Sequence, residues 1–134
     1  MINTISIGLS GLVASGKKAN VAAGNIANAG TVGSMDSSSP FQAYSAQTTQ
    51  DVTVGDTGGV QTIVLNRNPP FVPSYNPDSP FANEQGLVNA PNVNQDEEMM
   101  TLKQSEMSYK ANVETIRVGQ EMQDSLIEAL DHKA

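Results

Sequence analysis

A chain of 134 residues can build one modest core, but this one has no Trp, only three Phe and three Tyr, and 11 Gly. That composition suits long helices, extended segments, or a core completed by assembly more than a compact enzyme. The absence of Cys excludes disulfides, thiolate metal sites and a Cys nucleophile. A formal net charge of -7 argues against nucleic acid and anionic lipid as partners.

The first thirty residues repeat apolar or small side chains at alternating steps of three and four: Ile2, Ile5, Leu9, Leu12, Gly16, Ala19, Ala23, Ile26. This spacing predicts a coiled-coil-like helix. Such a rod of about 27 residues would be roughly 40 Å long. Gly8, Gly11, Gly16 and Gly24 each cost a helix about 1 kcal/mol relative to Ala, so the helix is expected to need a partner. Asn28 and Gly30 supply its C-terminal stop. The segment ISIGLSGLVASG has no basic side chain before it, and Lys17 and Lys18 follow it. A cleaved export signal is therefore not expected, and no run is long and apolar enough for membrane insertion.

Between Thr31 and Asn94 the texture changes. TVGSMDSSSP reads as turn and loop. QDVTV and VQTIVLN, separated by GDTGG, read as a β-hairpin. NPPFVPSYNPDSPF contains Pro69, Pro70, Pro73, Pro77 and Pro80, a density that excludes a helix or central strand and predicts an extended or polyproline-like arm. Phe71, Tyr75 and Phe81 are candidates to pin this arm to a surface, and GLVNAPNVN follows as another extended piece.

Helix is expected again from Asn94. Asn94 and Glu97 have capping-box spacing, and Asp96, Glu97 and Glu98 load the first turn, where the helix dipole favours negative charge. A second seam runs through Met99, Leu102, Glu106, Tyr109, Val113, Ile116, Gln120, Gln123, Ile127 and Leu130. Met100, Met107, Val118, Met122 and Leu126 form a parallel apolar line, so this helix is expected to touch more than one neighbour. His132 and Lys133 suit the negative end of the dipole. Residues 1–30 carry two bases and no acid, whereas residues 95–134 carry nine acids and four bases. The opposite signs favour the two helices lying together. The expected fold is α+β: long terminal helices (1–30 and 95–134) paired as a coiled-coil-like antiparallel or inner-layer bundle, with a β-hairpin and Pro-rich arm (31–94) between them.

No chemistry stands out. GLVASGKK has Gly11, Gly16 and Lys17 at phosphate-loop spacing, but Lys18 stands where the motif needs Ser or Thr, and the helical seam passes through Gly16 unbroken. Adjacent acids in Asp96-Glu97-Glu98 point different ways on a helix, so the cap reading is preferred to a metal or acid/base cluster. The lone His132 is near the terminus, a poor place to orient a catalytic base. The Met residues read as adaptable packing surface. No catalytic residue, cofactor, metal or small-molecule substrate is expected. Asn20, Asn25, Asn28 and Asn112 allow two readings: surface polarity with a C-cap, or amides that hydrogen-bond between packed helices and fix their register.

ANVAAGNIANAGT, residues 19–31, resembles the N-terminal signature of the bacterial flagellar axial proteins of the rod and hook, with Asn25 and Asn28 in its Asn-x-x-Asn pattern. SYKANVETI, residues 108–116, resembles the matching C-terminal signature, from Tyr109 to Asn112. YNPDSPFANEQGLVNAPNVNQDEEM, residues 75–99, is similar to the proximal-rod branch of that family. Longer distal members insert domains for which this chain has no room. The resemblance covers most of residues 1–30 and 75–125 and fades over 31–70.

The resemblance implies a non-enzymatic subunit of the flagellar basal-body rod in the periplasm. It implies export through the type III apparatus without a cleaved signal, and helical polymerisation with itself and other rod proteins around the export channel to transmit torque. The expected assembly surface comprises Ile5, Leu9, Leu12, Ala19, Ala23, Asn25, Ile26 and Asn28 at one end, and Leu102, Tyr109, Asn112, Val113, Ile116, Ile127 and Leu130 at the other. Rival readings are another rod or rod-junction protein, a nucleotide switch built on Gly11 to Lys17, and a secreted adaptor with a two-helix stalk.

Overall fold

The two ends of the chain form long helices in the computed structural model, which describes residues 2–55 and 58–132. Helix α1 spans Ile2–Asn28 and helix α2 spans Gln95–Asp131. The side chain of Asn94 accepts from the N–H groups of Asp96 and Glu97, which satisfies two donors that the first turn of α2 would otherwise leave free. The expected turn residues Asp56 and Thr57, the expected dipole partner Lys133 and the side chain of Ile2 lie outside the described residues.

The helices pack antiparallel, and small residues set how closely they approach. A Cβ added to Gly8 would sit 2.9 Å from Ile116 Cγ1, and one on Gly11 would sit 2.5 Å from Asn112 Oδ1. Near the start of α1, Gly119 of α2 lies against Ile5 and Thr4. At the other end Asn25 meets Glu98. The expected seams enter this contact only in part: Ile5 and Ile116 lie between the helices, each against a glycine of the other helix. The face of α1 turned to α2 holds Ile5, Gly8, Gly11, Ser15 and Asn25, whereas Leu9 remains 54% exposed and Ala23 is exposed. On α2 the buried line is Glu98, Ser105 and Gly119, whereas Tyr109 and Val113 are exposed. The physical reason is steric. Where glycine and serine line a helix, another backbone comes closer than it can over leucine.

The hairpin is present, somewhat longer than the sequence suggested. Strand β1 (Gln47–Val54) pairs antiparallel with β2 (Gly59–Asn66), with Gln47 opposite Asn66 and Val54 opposite Gly59. It lies along α1 through polar contacts. Ser10 Oγ accepts from the Val60 N–H at 3.1 Å, Lys17 Nζ donates to the Thr62 carbonyl at 3.2 Å, and Lys18 pairs with Asp51.

The Pro-rich stretch supplies β3 (Phe71–Tyr75), which pairs antiparallel with β4 (Leu87–Pro91). Pro73 stands opposite Asn89. In a two-stranded sheet each strand is an edge, so a residue without an N–H is tolerated there. Gly33 joins this sheet through a reciprocal backbone pair with Asn89, at 2.9 and 3.0 Å. Of the three aromatics expected to pin the arm, Phe81 packs against Phe41 with ring centroids 5.5 Å apart, Phe71 is half-buried, and Tyr75 is 72% exposed.

Among the described residues the buried apolar side chains are small: Ala14, Ala22, Ala43, Ala46 and Val88, with Pro91. At about 25 cal/mol per Å² of apolar area removed from water, alanines contribute little, so this molecule depends more than most on close backbone approach and on polar contacts. Two glycines give opposite expectations. A Cβ on Gly33 would fall 2.1 Å from the Ala43 nitrogen, and Gly16 has nothing within 4 Å. Gly33→Ala should cost on the order of 3 kcal/mol, and Gly16→Ala should stabilise by up to about 1 kcal/mol. The urea midpoints of the two variants check both signs.

Candidate assembly interface

Asn25 is fully buried at the end of α1 where the helices and the hairpin meet. Its Nδ2 donates to the Gln47 carbonyl at 2.8 Å and to Glu98 Oε1 at 3.0 Å. Its Oδ1 accepts from the Tyr44 hydroxyl at 3.1 Å and from the Gln47 N–H at 3.0 Å. Two donors and two accepted bonds use the whole capacity of a carboxamide. Of the two readings of the Asn residues, this one is the register-fixing amide.

Glu98 is the second member of the knot. It is 4% exposed, and its Oε1 also accepts from Arg67 Nη2 at 2.7 Å. Arg67 donates through Nη1 to the Asn92 carbonyl at 3.2 Å and through its backbone N–H to the Ala46 carbonyl at 2.7 Å. Glu98 is therefore not a solvated complement to the helix dipole, as its place in an acidic first turn suggested; Asp96 and Glu97 are the exposed pair. Burial, and then the charge of Glu98, raises the Tyr44 hydroxyl above its ordinary pKa, so that it stays a donor to Asn25. Among the described residues no buried side-chain nitrogen or oxygen lacks a partner.

The other Asn residues act locally. Asn28 Nδ2 donates to the Gly24 carbonyl at 2.9 Å, and its own carbonyl accepts from the Thr31 hydroxyl at 2.6 Å, closing α1. Asn112 Nδ2 donates to the Ser108 carbonyl at 2.8 Å, and its side chain rests on Gly11. Asn20 is exposed. Gly11 to Lys17 lie inside α1, so their N–H groups serve the helix ladder; Gly11 lets α2 approach.

The structure divides the expected interface residues. Ile5 meets Gly119, Asn112 meets Gly11, and Ile116 meets Gly8, all within the helix pair. Leu12, Ala19, Ile26 and Leu102 are half-buried, and Leu9, Ala23, Tyr109 and Val113 are exposed. Gly16 and Ala19 of α1 line a shallow groove of about 310 Å³ together with Leu102, Tyr109 and Lys110 of α2. Ile127 and Leu130 are 51% and 60% exposed, beyond the start of α1. Sequence reasoning missed Arg67 and Tyr44 as partners of the motif. One signal was available: Arg67 is the only Lys or Arg between Lys18 and Lys103, and a lone cation in a β-rich segment calls for an anionic partner. Among the described residues no group of His, Asp or Glu is arranged to hold a metal ion.

A family model for the C-terminal region of the flagellar basal body rod FlgEFG proteins matches residues 84–129. The flagellar basal-body rod protein FlgC of Salmonella typhimurium is 35% identical over 124 residues, covering 91% of this chain and 92% of that one. FlgC of Escherichia coli O157:H7 is 34% identical over the same shares. FlgC of Agrobacterium fabrum is 30% identical over 129 residues, 90% of this chain and 88% of that one. This chain belongs to the FlgC family of flagellar basal-body rod proteins. It is a structural rod protein, and the knot around Asn25 and the exposed helix stripes are features of a FlgC-family subunit. The likeness to FlgC proteins covers nine-tenths of the chain, including the hairpin region where the short signatures fade.

Removing one member of a buried charge pair leaves the other without compensation. Glu98→Leu and Arg67→Met should each cost about 3 kcal/mol, and the double variant Arg67→Met/Glu98→Leu should cost less than the sum, as a double-mutant cycle of urea midpoints measures. A second expectation concerns pH. The hydrogen bond from Lys18 holds the Asp51 carboxyl below its ordinary value, against the effect of burial, and Thr62 adds to the lowering. Because the folded pKa is depressed, this tie is fully present above the usual carboxylate range and is lost as pH falls through the lowered value. In Lys18→Met, the Asp51 titration followed by NMR should move upward.

Proposed function

We propose that this chain is a proximal building block of the flagellar rod that acquires lasting order by docking. It travels through the type III export apparatus as an extended chain, without a cleaved signal. It then polymerises helically with copies and kin around the export channel in the periplasm, and the repeated contacts give the stiffness that transmits torque.

One observation carries this reading: the bulky apolar stripes of both helices are left outside the pair. Leu9 and Val13 on α1, and Tyr109, Val113, Ile127 and Leu130 on α2, all remain more than two-fifths exposed. The inner faces are already matched through small residues and the Asn25 knot. Exposed apolar surface organised as helical stripes fits contact with other helices. A chain whose buried apolar residues are mostly alanine has little to hold it rigid before that contact, which suits passage through a narrow channel.

Ala23 tests the reading. It is exposed in the single chain, so a charge there disturbs a neighbouring subunit and not the packing of α1 on α2. Ala23→Glu should leave the circular dichroism of the isolated chain unchanged and abolish swimming in soft agar. A fully motile Ala23→Glu strain overturns the assignment of this stripe to subunit contacts.

A further inference from the structure

Helix α2 outruns its partner. Gly119 packs against Ile5 and Thr4, α1 begins at Ile2, and α2 continues to Asp131. The twelve residues of α2 after Gly119 span about 18 Å at 1.5 Å per residue, and little of α1 remains to cover them. The stripe that would face α1 continues along this overhang as Leu126, Ile127 and Leu130, exposed at 46%, 51% and 60%.

The same molecule carries a surface of matching length and opposite character. The groove bounded by Gly16, Ala19, Leu102 and Tyr109 exposes mostly apolar surface, with Ser15, Ser105, Glu106 and Lys110 also lining it, and Val113 extends its line. From Leu102 to Val113, α2 covers about 16 Å. Gly16 presents no side chain to this surface, and a Cβ there would meet nothing within 4 Å, so a third helix can approach. Charge also matches. Among the described residues the overhang carries Glu121, Asp124, Glu128 and Asp131 and no Lys or Arg, although Arg117 just before it pairs with Glu121. Lys110 and Glu106 line the groove, and Lys103 joins Lys110 on the single carboxylate of Glu106, at 3.1 and 2.7 Å. That leaves an excess of positive charge on the groove's edge. The two lysines hold Glu106 ionised, with its pKa lowered to about 2.

From this we infer that the acidic overhang of one copy of this chain lies in the apolar groove of the next copy. The contact is heterologous: two different patches meet, so each copy still offers a free groove and a free overhang, and repetition makes an open chain. The inference rests on the proposed rod function and adds the pair of surfaces and the identity of the occupant.

The absence of native Cys makes this testable by cross-linking. Ala19→Cys marks the middle of the groove and Ile127→Cys the middle of the overhang, so the pair reports whichever direction the third helix runs. The two single-Cys full-length variants are expressed together in one strain. Basal bodies are purified, mildly oxidised and resolved by mass spectrometry. The expected result is a mixed Ala19→Cys/Ile127→Cys disulfide exceeding either homodimer at least about fivefold, and its loss when Leu130→Glu is added to the Ile127→Cys chain. A statistical mixture, a predominance of homodimers, or no cross-link at all overturns this pairing. The same preparation tests the rod reading separately: the chain's presence in purified basal bodies without the mixed disulfide sinks the pairing alone, and its absence from them sinks both.

Discussion

The structure turns on one buried amide and one buried carboxylate. Asn25 and Glu98 come from opposite ends of the sequence and meet at 3.0 Å with almost no access to water. Arg67, from the strand end of the hairpin, closes the set. Both N–H groups and both lone pairs of the Asn25 amide have a named partner, and an unsatisfied group there would cost more than a satisfied one contributes. A slide of α1 against α2 by one turn would break the Asn25 bonds and leave Glu98 facing Arg67 alone. The knot therefore selects one register for two helices whose contact faces, lined by Gly, Ser and Ala, would otherwise tolerate several.

Close packing through small residues has a consequence for stability and for assembly. Gly8, Gly11 and Gly119 bring the helices together but bury little apolar area. The larger apolar side chains are displaced to the outside, where they remain available to neighbours. The division is physical: small side chains and polar bonds hold the helix pair and the hairpin together, and many of the bulky side chains lie on the outer faces of the helices.

The β-rich middle is held by the same logic. Lys17, Lys18 and Ser10 fasten the hairpin to α1 by hydrogen bonds and an ion pair, and Gly33 threads the first loop into the second sheet where no side chain fits. The hairpin is tied to both helices through Gln47 and Arg67 at its open end, so the order of the middle and the order of the terminal helices are coupled.

Much of this was written locally. The alternation of three and four residues gave both helices, Asn94 gave the start of α2, and the β-branched runs around GDTGG gave the hairpin, because each depends on neighbours along the chain. The short signatures around Asn25 and Asn112 gave the family. Other features depended on the partner. Periodicity identifies an apolar stripe but not what each residue on it faces: Ile5 and Ile116 lie between the helices against glycines, whereas Leu9 and Ala23 of the same seam are exposed. Glu98 looked like one more acid in a capped first turn, and only the return of Arg67 to that spot made it a buried anchor. The sequence by itself determined the elements and their family, since these follow from propensity, spacing and local caps; tertiary structure alone decided which helical face lies inside, because that depends on how closely two backbones can approach.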